Sequence, residues 1–215
     1  MKIKWLGHSC FLLTAGDGTK LLMDPFKADS HLSYKQVSEE ADIVTVSHDH
    51  FDHNYAAALP GTPEVVKGGI EKVIKGIKIK GVGVFHDETG GKQRGSNTVF
   101  CAAIDDINVC HLGDLGHRLS AAQLGAVGKV DVLLVPVGGV FTIDVETANA
   151  VCEDISPRIA IPMHYKTDRC RFLQWSAEDF ARGKVTVKRL AGSEYEITGA
   201  GLPAEFEVVV LKYPA

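Results

Sequence analysis

Short apolar runs broken by turn residues set the pattern of the first half of the chain. Residues 2–6, 10–14 and 20–23 are mostly apolar or alternating, with Gly7-His8-Ser9 and Gly16-Asp17-Gly18 between them. Glycines at such turns supply positive φ, so this opening reads as a β-meander. Residues 41–46 form an apolar, β-branched run that reads as a buried strand. Residues 26–40 lack periodicity and read as loop with one helical turn. Residues 54–59 read as the first turn of a helix, broken by Pro60-Gly61. A short strand is expected at 64–67 and a short helix at 70–75, ended by Gly76.

The second half alternates strands with helices. Residues 77–85 alternate as a strand, and 89–96 form a glycine-flanked polar loop. Residues 97–104 and 107–111 read as a hairpin around Asp105-Asp106. Ser120 caps a helix over 120–127, and Asp144 caps one running to about Ile155, stopped by Pro157. Buried strands are expected at 130–137 and 158–163, a helix at 176–181, and a closing meander at 184–190 and 206–211.

One punctuation recurs along this pattern. Met23 leads to Asp24, Val46 to His48, Phe85 to His86, Cys110 to Asp114 and Met163 to His164. Each time an apolar strand ends in a residue able to bind a metal. If these strands share a direction, their carboxyl ends converge on one sheet edge, where α/β proteins place their sites.

The densest chemistry lies in Ser47-His48-Asp49-His50-Phe51-Asp52-His53, which holds three of the nine histidines. Neutral imidazole and carboxylate are common zinc ligands, and imidazole also suits iron and nickel. His48 and His50, two apart, can point the same way in an extended turn. Asp52 and His53 are adjacent and do not easily join them at one tetrahedral centre. The spacing therefore suggests two metals side by side. A solvated loop with chance histidines is the plain alternative, but nothing would then organise four such side chains.

Composition narrows the classes. A length of 215 residues suits one domain, here read as residues 1–215, or two tightly packed halves. The net charge of −4 argues against a nucleic-acid partner. No apolar run approaches the roughly 20 residues of a membrane span, and the N-terminus reads as a strand rather than a signal peptide. Five cysteines, without a Cys-x-x-Cys, fit reduced thiols and a cytoplasmic location. Cys10 and Cys110 sit inside apolar runs and read as core residues rather than nucleophiles.

His48-x-His50-x-Asp52-His53 resembles the signature of the metallo-β-lactamase fold superfamily. The resemblance implies an α/β protein, a four-layer αβ/βα sandwich with one or two metals between pseudo-equivalent αβ halves. It also carries over further ligand positions: His86 to the first metal, Asp114 as the bridge, and His164 to the second. The first metal would then take His48, His50, His86 and Asp114; the second, Asp52, His53, His164 and Asp114. Asp24 matches a buried acid that holds a ligand histidine in its tautomer, although it could simply cap the turn before Pro25. Gly7-His8-Ser9, the segment 111–117, Val137-Gly138-Gly139 and the segment 161–165 look most like the small single-domain branch. Relatives resembling ascorbate-6-phosphate lactonase belong there.

Open coordination positions mark such a site as catalytic rather than structural. The expected cofactors are two divalent ions, zinc first, with manganese or iron as alternatives. A hydroxide bridging them would be the nucleophile, with Asp52 as proton shuttle. The first reading is hydrolysis of a lactone, ester or amide in a small substrate. A phosphodiesterase or nuclease, and a non-catalytic metal-binding protein, stand as alternatives. Arg94, between glycines just after His86, is expected to hold an anionic substrate group through its guanidinium. His8 either bonds backbone in its turn or reaches the substrate pocket. Lys92 and His31 read as exposed, and His111 and His117 as supporting residues. A homo-oligomer is left open.

Overall fold

The computed structural model, which describes residues 1–213, opens with the meander that its turns dictate. β1 (Lys2–Gly7), β2 (Cys10–Thr14) and β3 (Lys20–Met23) pair antiparallel in succession. β4 (Ile43–Val46) joins β3 in parallel, and β5 (Glu64–Lys67) joins β4 in parallel. The second sheet starts with β6 (Glu71–Ile74), β7 (Ile77–Phe85), β8 (Ser96–Ile104) and β9 (Ile107–His111), all antiparallel. It continues in parallel through β10 (Val132–Pro136) and β11 (Ile159–Met163). α1 (Ala121–Val127), α2 (Val145–Ile155) and α3 (Ala177–Ala181) pack on this second sheet. Their Ser120, Asp144 and Ser176 side chains accept from N3 amides, as the sequence pattern requires.

Two sheets packed face to face explain the apolar runs. In β2, Phe11 and Leu13 point into the core shared by both sheets, while Cys10 and Leu12 point to the outer face. β3 and β4 divide likewise, with Leu21, Met23 and Ile43 inward and Leu22, Val44 and Val46 outward. A strand covered on both faces cannot alternate, so it reads as a continuous apolar run. Phe11 is fully buried between the sheets; truncating such a ring to alanine is expected to cost about 3–5 kcal/mol. The outer face of the first sheet is covered by loop residues, among them Phe26, Leu32, Tyr34 and Val37.

Four expectations change. Residues 54–59 form only a 3-10 turn at Ala56–Ala58, because Pro60 disfavours helix at Leu59. The segment is also tied down by the Tyr55 amide donating to the Pro25 carbonyl at 2.8 Å. The helix expected at 70–75 is instead β6. Lys75 and Gly76 both take positive φ, 47° and 82°, and form a tight hairpin turn into β7 rather than a helix end. The helical turn expected within 26–40 is absent; Asp29 Oδ1 accepts from the amides of His31 and Leu32 instead. The closing meander is split. β12 (Val187–Arg189) and β14 (Glu207–Val210) run parallel in the second sheet. Between them β13 (Glu194–Glu196) crosses to pair with β1 in the first.

Candidate metal centre

The shared direction holds within each sheet. β1, β3 and β4 run one way in the first sheet. β7, β9, β10 and β11 run one way in the second. His8, Asp24 and His48 therefore leave the carboxyl ends of β1, β3 and β4, and His86, Asp114 and His164 those of β7, β9 and β11. His8, Asp24 and His164 each take a left-handed backbone, with φ of 52°, 48° and 47°. Such a conformation costs a non-glycine residue about 1–3 kcal/mol and persists only where surroundings over-determine it. Here it turns each side chain sharply off its strand.

Asp24 supplies part of that determination. Its Oδ1 accepts the Ser47 amide at 2.8 Å, and its Oδ2 accepts the Ser47 hydroxyl at 2.6 Å. The same Oδ2 lies 2.8 Å from His53 Nδ1. An ionised carboxylate only accepts, so His53 Nδ1 carries a proton, and in the neutral ring Nε2 is the lone pair. Ser47, having donated to Asp24, accepts from His48 Nδ1 at 2.9 Å, which leaves His48 Nε2 free as well. One buried acid thus sets two tautomers. Burial raises the Asp24 carboxyl, but His111 and His53 hold it below the usual carboxylate range.

Asp114 sits at the centre, almost wholly buried. Its Oδ1 lies 3.2 Å from His53 Nε2, and its Oδ2 lies 3.2 Å from His86 Nε2 and 3.4 Å from His164 Nε2. His48 Nε2 is 3.9 Å from the same Oδ2. The donor atoms gather in overlapping groups: His48, His50 and His86; His48, His53 and Asp114; and His8, Asp52, His53 and His164. His50 is the exposed member. Buried atoms His48 Nε2, His53 Nε2 and Asp114 Oδ1 have no hydrogen-bond partner among the described residues. The 3.2 Å approach of His53 to Asp114 lacks hydrogen-bond geometry, and the donor atoms of His48, His53 and Asp114 lie within 4.8 Å of one another. Buried unpaired atoms of this kind are costly, and a cation between them would satisfy all three.

Electrostatics divide the histidines of that set into two pairs. Burial and the neighbouring His53 push His48 down to about 3. Burial likewise takes His164 to about 3, against the pull of Asp114. Both are neutral at pH 7, the form that binds metal. Burial would lower His53 and His86 too, but the Asp114 carboxylate raises both. Burial pushes Asp114 up, yet His164 and His53 hold it well below the ordinary range.

Supporting residues come from both sheets. His111 Nε2 donates to the Ser9 carbonyl at 2.8 Å and its Nδ1 accepts the Gly113 amide at 3.0 Å, tying the second sheet to the first. His117 Nε2 accepts the Phe85 amide at 3.1 Å, bracing the strand end before His86. The sequence did not mark Asn97, whose Oδ1 accepts the Asp114 amide at 3.2 Å while its Nδ2 donates to the Leu112 carbonyl. Gly113 has φ of 55°, and a Cβ there would stand 2.3 Å from Asn97 Oδ1. Ser47 and Asp87 were also unmarked; adjacency to His48 and His86 is their sole sequence signal. Asp87 accepts amides of Thr89, Gly91, Gln93 and Arg94 and the Thr89 hydroxyl, winding the loop around one carboxylate.

That loop sets Arg94 on the wall between two cavities. One, about 440 Å³, is lined by His48, His50 and Lys67; the other, about 300 Å³, by His86, Phe141 and Thr142. The guanidinium lies 5.3 Å from the centre of the Phe141 ring. It has no carboxylate partner among the described residues. Lys92 and His31 are exposed. His8 is buried, with Nε2 3.2 Å from Asp52 Oδ2. A roomier cleft of about 1260 Å³ opens beside Trp5, Tyr165 and Lys212, but none of the donor groups lines it. No helix among the described residues is long and apolar enough to cross a membrane.

Residues 2–164 match the model of the Beta-lactamase superfamily domain. A metal-dependent hydrolase of Methanoregula boonei is 29% identical, over 78% of this chain and 83% of its own. Another, of Methanosarcina barkeri, is 32% identical over 78% and 84%. A Thermotoga maritima crystal structure is similar with a TM-score of 0.83 and 37% identity, covering 99% of each chain. That protein is described as a candidate Zn-dependent hydrolase of the metallo-β-lactamase superfamily. With the matched model spanning most of its length and its donor residues gathered at the carboxyl edges of two facing sheets, the chain belongs to the β-lactamase superfamily.

Proposed function

We propose that the chain is a binuclear metal-dependent hydrolase of a small, anionic substrate carrying a lactone, ester or amide bond. The observation that supports it is Asp114, one buried carboxylate with histidines against both of its oxygens. His48, His50 and His86 would hold one ion, and Asp52, His53 and His164 the other, with Asp114 shared. Two divalent ions there, zinc or else manganese or iron, would acidify a water and polarise the scissile carbonyl.

The chain's own residues do the rest. Asp24 and Ser47 hold His53 and His48 in the metal-binding tautomer. Asp52 is partly solvent-accessible. Burial raises its carboxyl, but His53 and His8 hold it well below the usual range. It is therefore ionised at neutral pH and takes up the proton that hydrolysis releases. His8 Nε2 lies 3.2 Å from Asp52 Oδ2 and fixes that carboxylate, and on this reading His8 stands toward the substrate. Arg94 faces the anionic end of the substrate, its fork unclaimed by any acid among the described residues. Five free thiols fit a reducing, cytoplasmic setting.

The test is metal analysis of the purified protein with a panel of lactone, phosphodiester and thioester substrates. Two ions per chain and lactone turnover abolished by chelation are expected. A single ion per chain sinks the binuclear reading, turnover that survives thorough chelation sinks metal dependence, and preference for the phosphodiester moves the substrate class.

A further inference from the structure

Two of the five cysteines lie apart from the metal centre and face each other. β8 and β9 are joined by Asp105-Asp106, both at positive φ, 51° and 62°. That is a two-residue hairpin turn of the primed type, flanked by the hydrogen-bonded pair Ile104 and Ile107. Pairs alternate outward from it. Cys101 and Cys110, directly opposite in the register, fall on a non-hydrogen-bonded pair. Cα atoms in such pairs are about 4.5 Å apart and side chains lie close, inside the roughly 4.4–6.8 Å that a disulfide spans. The two sulfurs are 3.8 Å apart.

The partners differ in access and acidity. Cys110 is fully buried on the helix-covered face of the second sheet, opposite the face from which His111 reaches Ser9, whereas Cys101 is half-buried with its sulfur 3.8 Å from the Val127 carbonyl. Lys80 pairs with Cys101 from β7 on its other side. The Cys110 thiol, against the effect of burial and with help from Lys80, holds Cys101 below the usual thiol range. The remaining cysteines are different. Burial raises Cys10 well above that range and takes Cys152 and Cys170 to about 12. None of these three has a second sulfur within reach among the described residues.

We propose that Cys101 and Cys110 form a peroxide-responsive site, in which a hydroperoxide oxidises the pair to a cross-strand disulfide. The Cys101 thiolate attacks the outer peroxide oxygen, breaking the O–O bond. It becomes a sulfenic acid, and the leaving alkoxide or hydroxide takes up a proton. The Cys110 sulfur then attacks Cys101, forming the S–S bond and releasing the sulfenic oxygen as water with the Cys110 proton. Two thiols and one hydroperoxide give a disulfide, an alcohol or water, and one further water. The new bond would sit one residue before His111, on the strand that delivers Asp114 to the metal centre.

Titration of the intact holoprotein with hydrogen peroxide tests this without reference to hydrolytic activity. Trypsin cuts after Arg94 and Arg118, so residues 95–118 leave as one peptide holding both sulfurs and no other cysteine. Expected is a loss of about 2 Da in that peptide, for the two hydrogens removed, before Cys10, Cys152 or Cys170 reacts. Dithiothreitol should reverse it. In the Cys110→Ser variant the same peptide should gain about 16 Da, one oxygen, or a dimedone adduct at Cys101. In Cys101→Ser neither change should occur. A 95–118 peptide that stays fully alkylatable while other cysteines oxidise overturns the proposal, as does a disulfide joining either sulfur to another cysteine.

Discussion

Substituting Asp24 with asparagine isolates the one acid on which two candidate ligand histidines depend. Asparagine tolerates a left-handed backbone, so φ of 48° need not change. It is nearly the same size, so no cavity opens. What changes is one acceptor oxygen, which becomes a donor facing either the Ser47 amide or the Ser47 hydroxyl and His53 Nδ1. Hydrogen bonds to a charged group contribute about 1.5–3 kcal/mol each, and at least one is replaced by opposed donors. The metal-free protein should therefore lose about that much stability. Both ion sites should also weaken, because His53 is held directly and His48 through Ser47. Removing a partner of a metal-binding histidine costs about 10–100-fold in affinity, or about 1.4–2.7 kcal/mol. Competition titration against a chromogenic chelator measures both steps, and Ser47→Ala should weaken only the site that includes His48. Parent affinity at both sites in Asp24→Asn, with an unchanged melting temperature, would refute the reasoning.

Three other outcomes follow from the same geometry. Asp114→Ala should lose ions from both sites, and an ion count equal to the parent's would remove it from the centre. Arg94→Ala should weaken anionic substrates by about 1.5–3 kcal/mol with metal content unchanged, Arg94→Lys should recover part, and Asp87→Ala should raise KM for the same substrates by loosening the loop; an equal effect on neutral substrates would make the loop structural. Metal-free stability should peak near pH 6.5: His48 and His164, taken to about 3, leave the unfolded chain binding more protons between pH 3 and 6.5, so stability rises with pH there, by up to about 1.4 kcal/mol per unit for each group. Above pH 6.5 His53 and His86, raised by Asp114, bind more protons when folded, so stability falls as pH rises, and a flat denaturation profile from pH 4 to 6.5 would contradict this.

The sequence was most legible where local rules and burial agree. Ser120 and Asp144 cap the helices expected of them because an N-cap is a contact within four residues. The direction of the strands, and so the gathering of Asp24, His48, His86, Asp114 and His164 on one edge, could be posed as a condition; only pairing between distant segments fixes it. β6 was misread because Lys75-Gly76 looks the same as a helix stop or a hairpin turn until β7 is beside it. β13 is three residues long, with one buried side chain, and its partner β1 lies almost the whole chain away. Asn97 and Asp87 went unmarked for a related reason. Their work is done on the backbone of other residues, and periodicity does not register that.

The candidate donor side chains are scattered from His48 to His164, and the residues that orient them reach back to Asp24. No contiguous fragment holds the set, and neither sheet alone carries it. Its contacts close long loops, so the entropy of closing them is met only as both sheets come together. Ions in the medium then act as a ratchet on the finished chain. On the proposed two-ion reading they would bind the docked sheets more tightly than the unfolded chain, and so stabilise the folded form by mass action as their concentration exceeds Kd. Metal supply and the lifetime of the folded protein become one variable, so starvation for the ion would shorten the life of the chain as well as silence it.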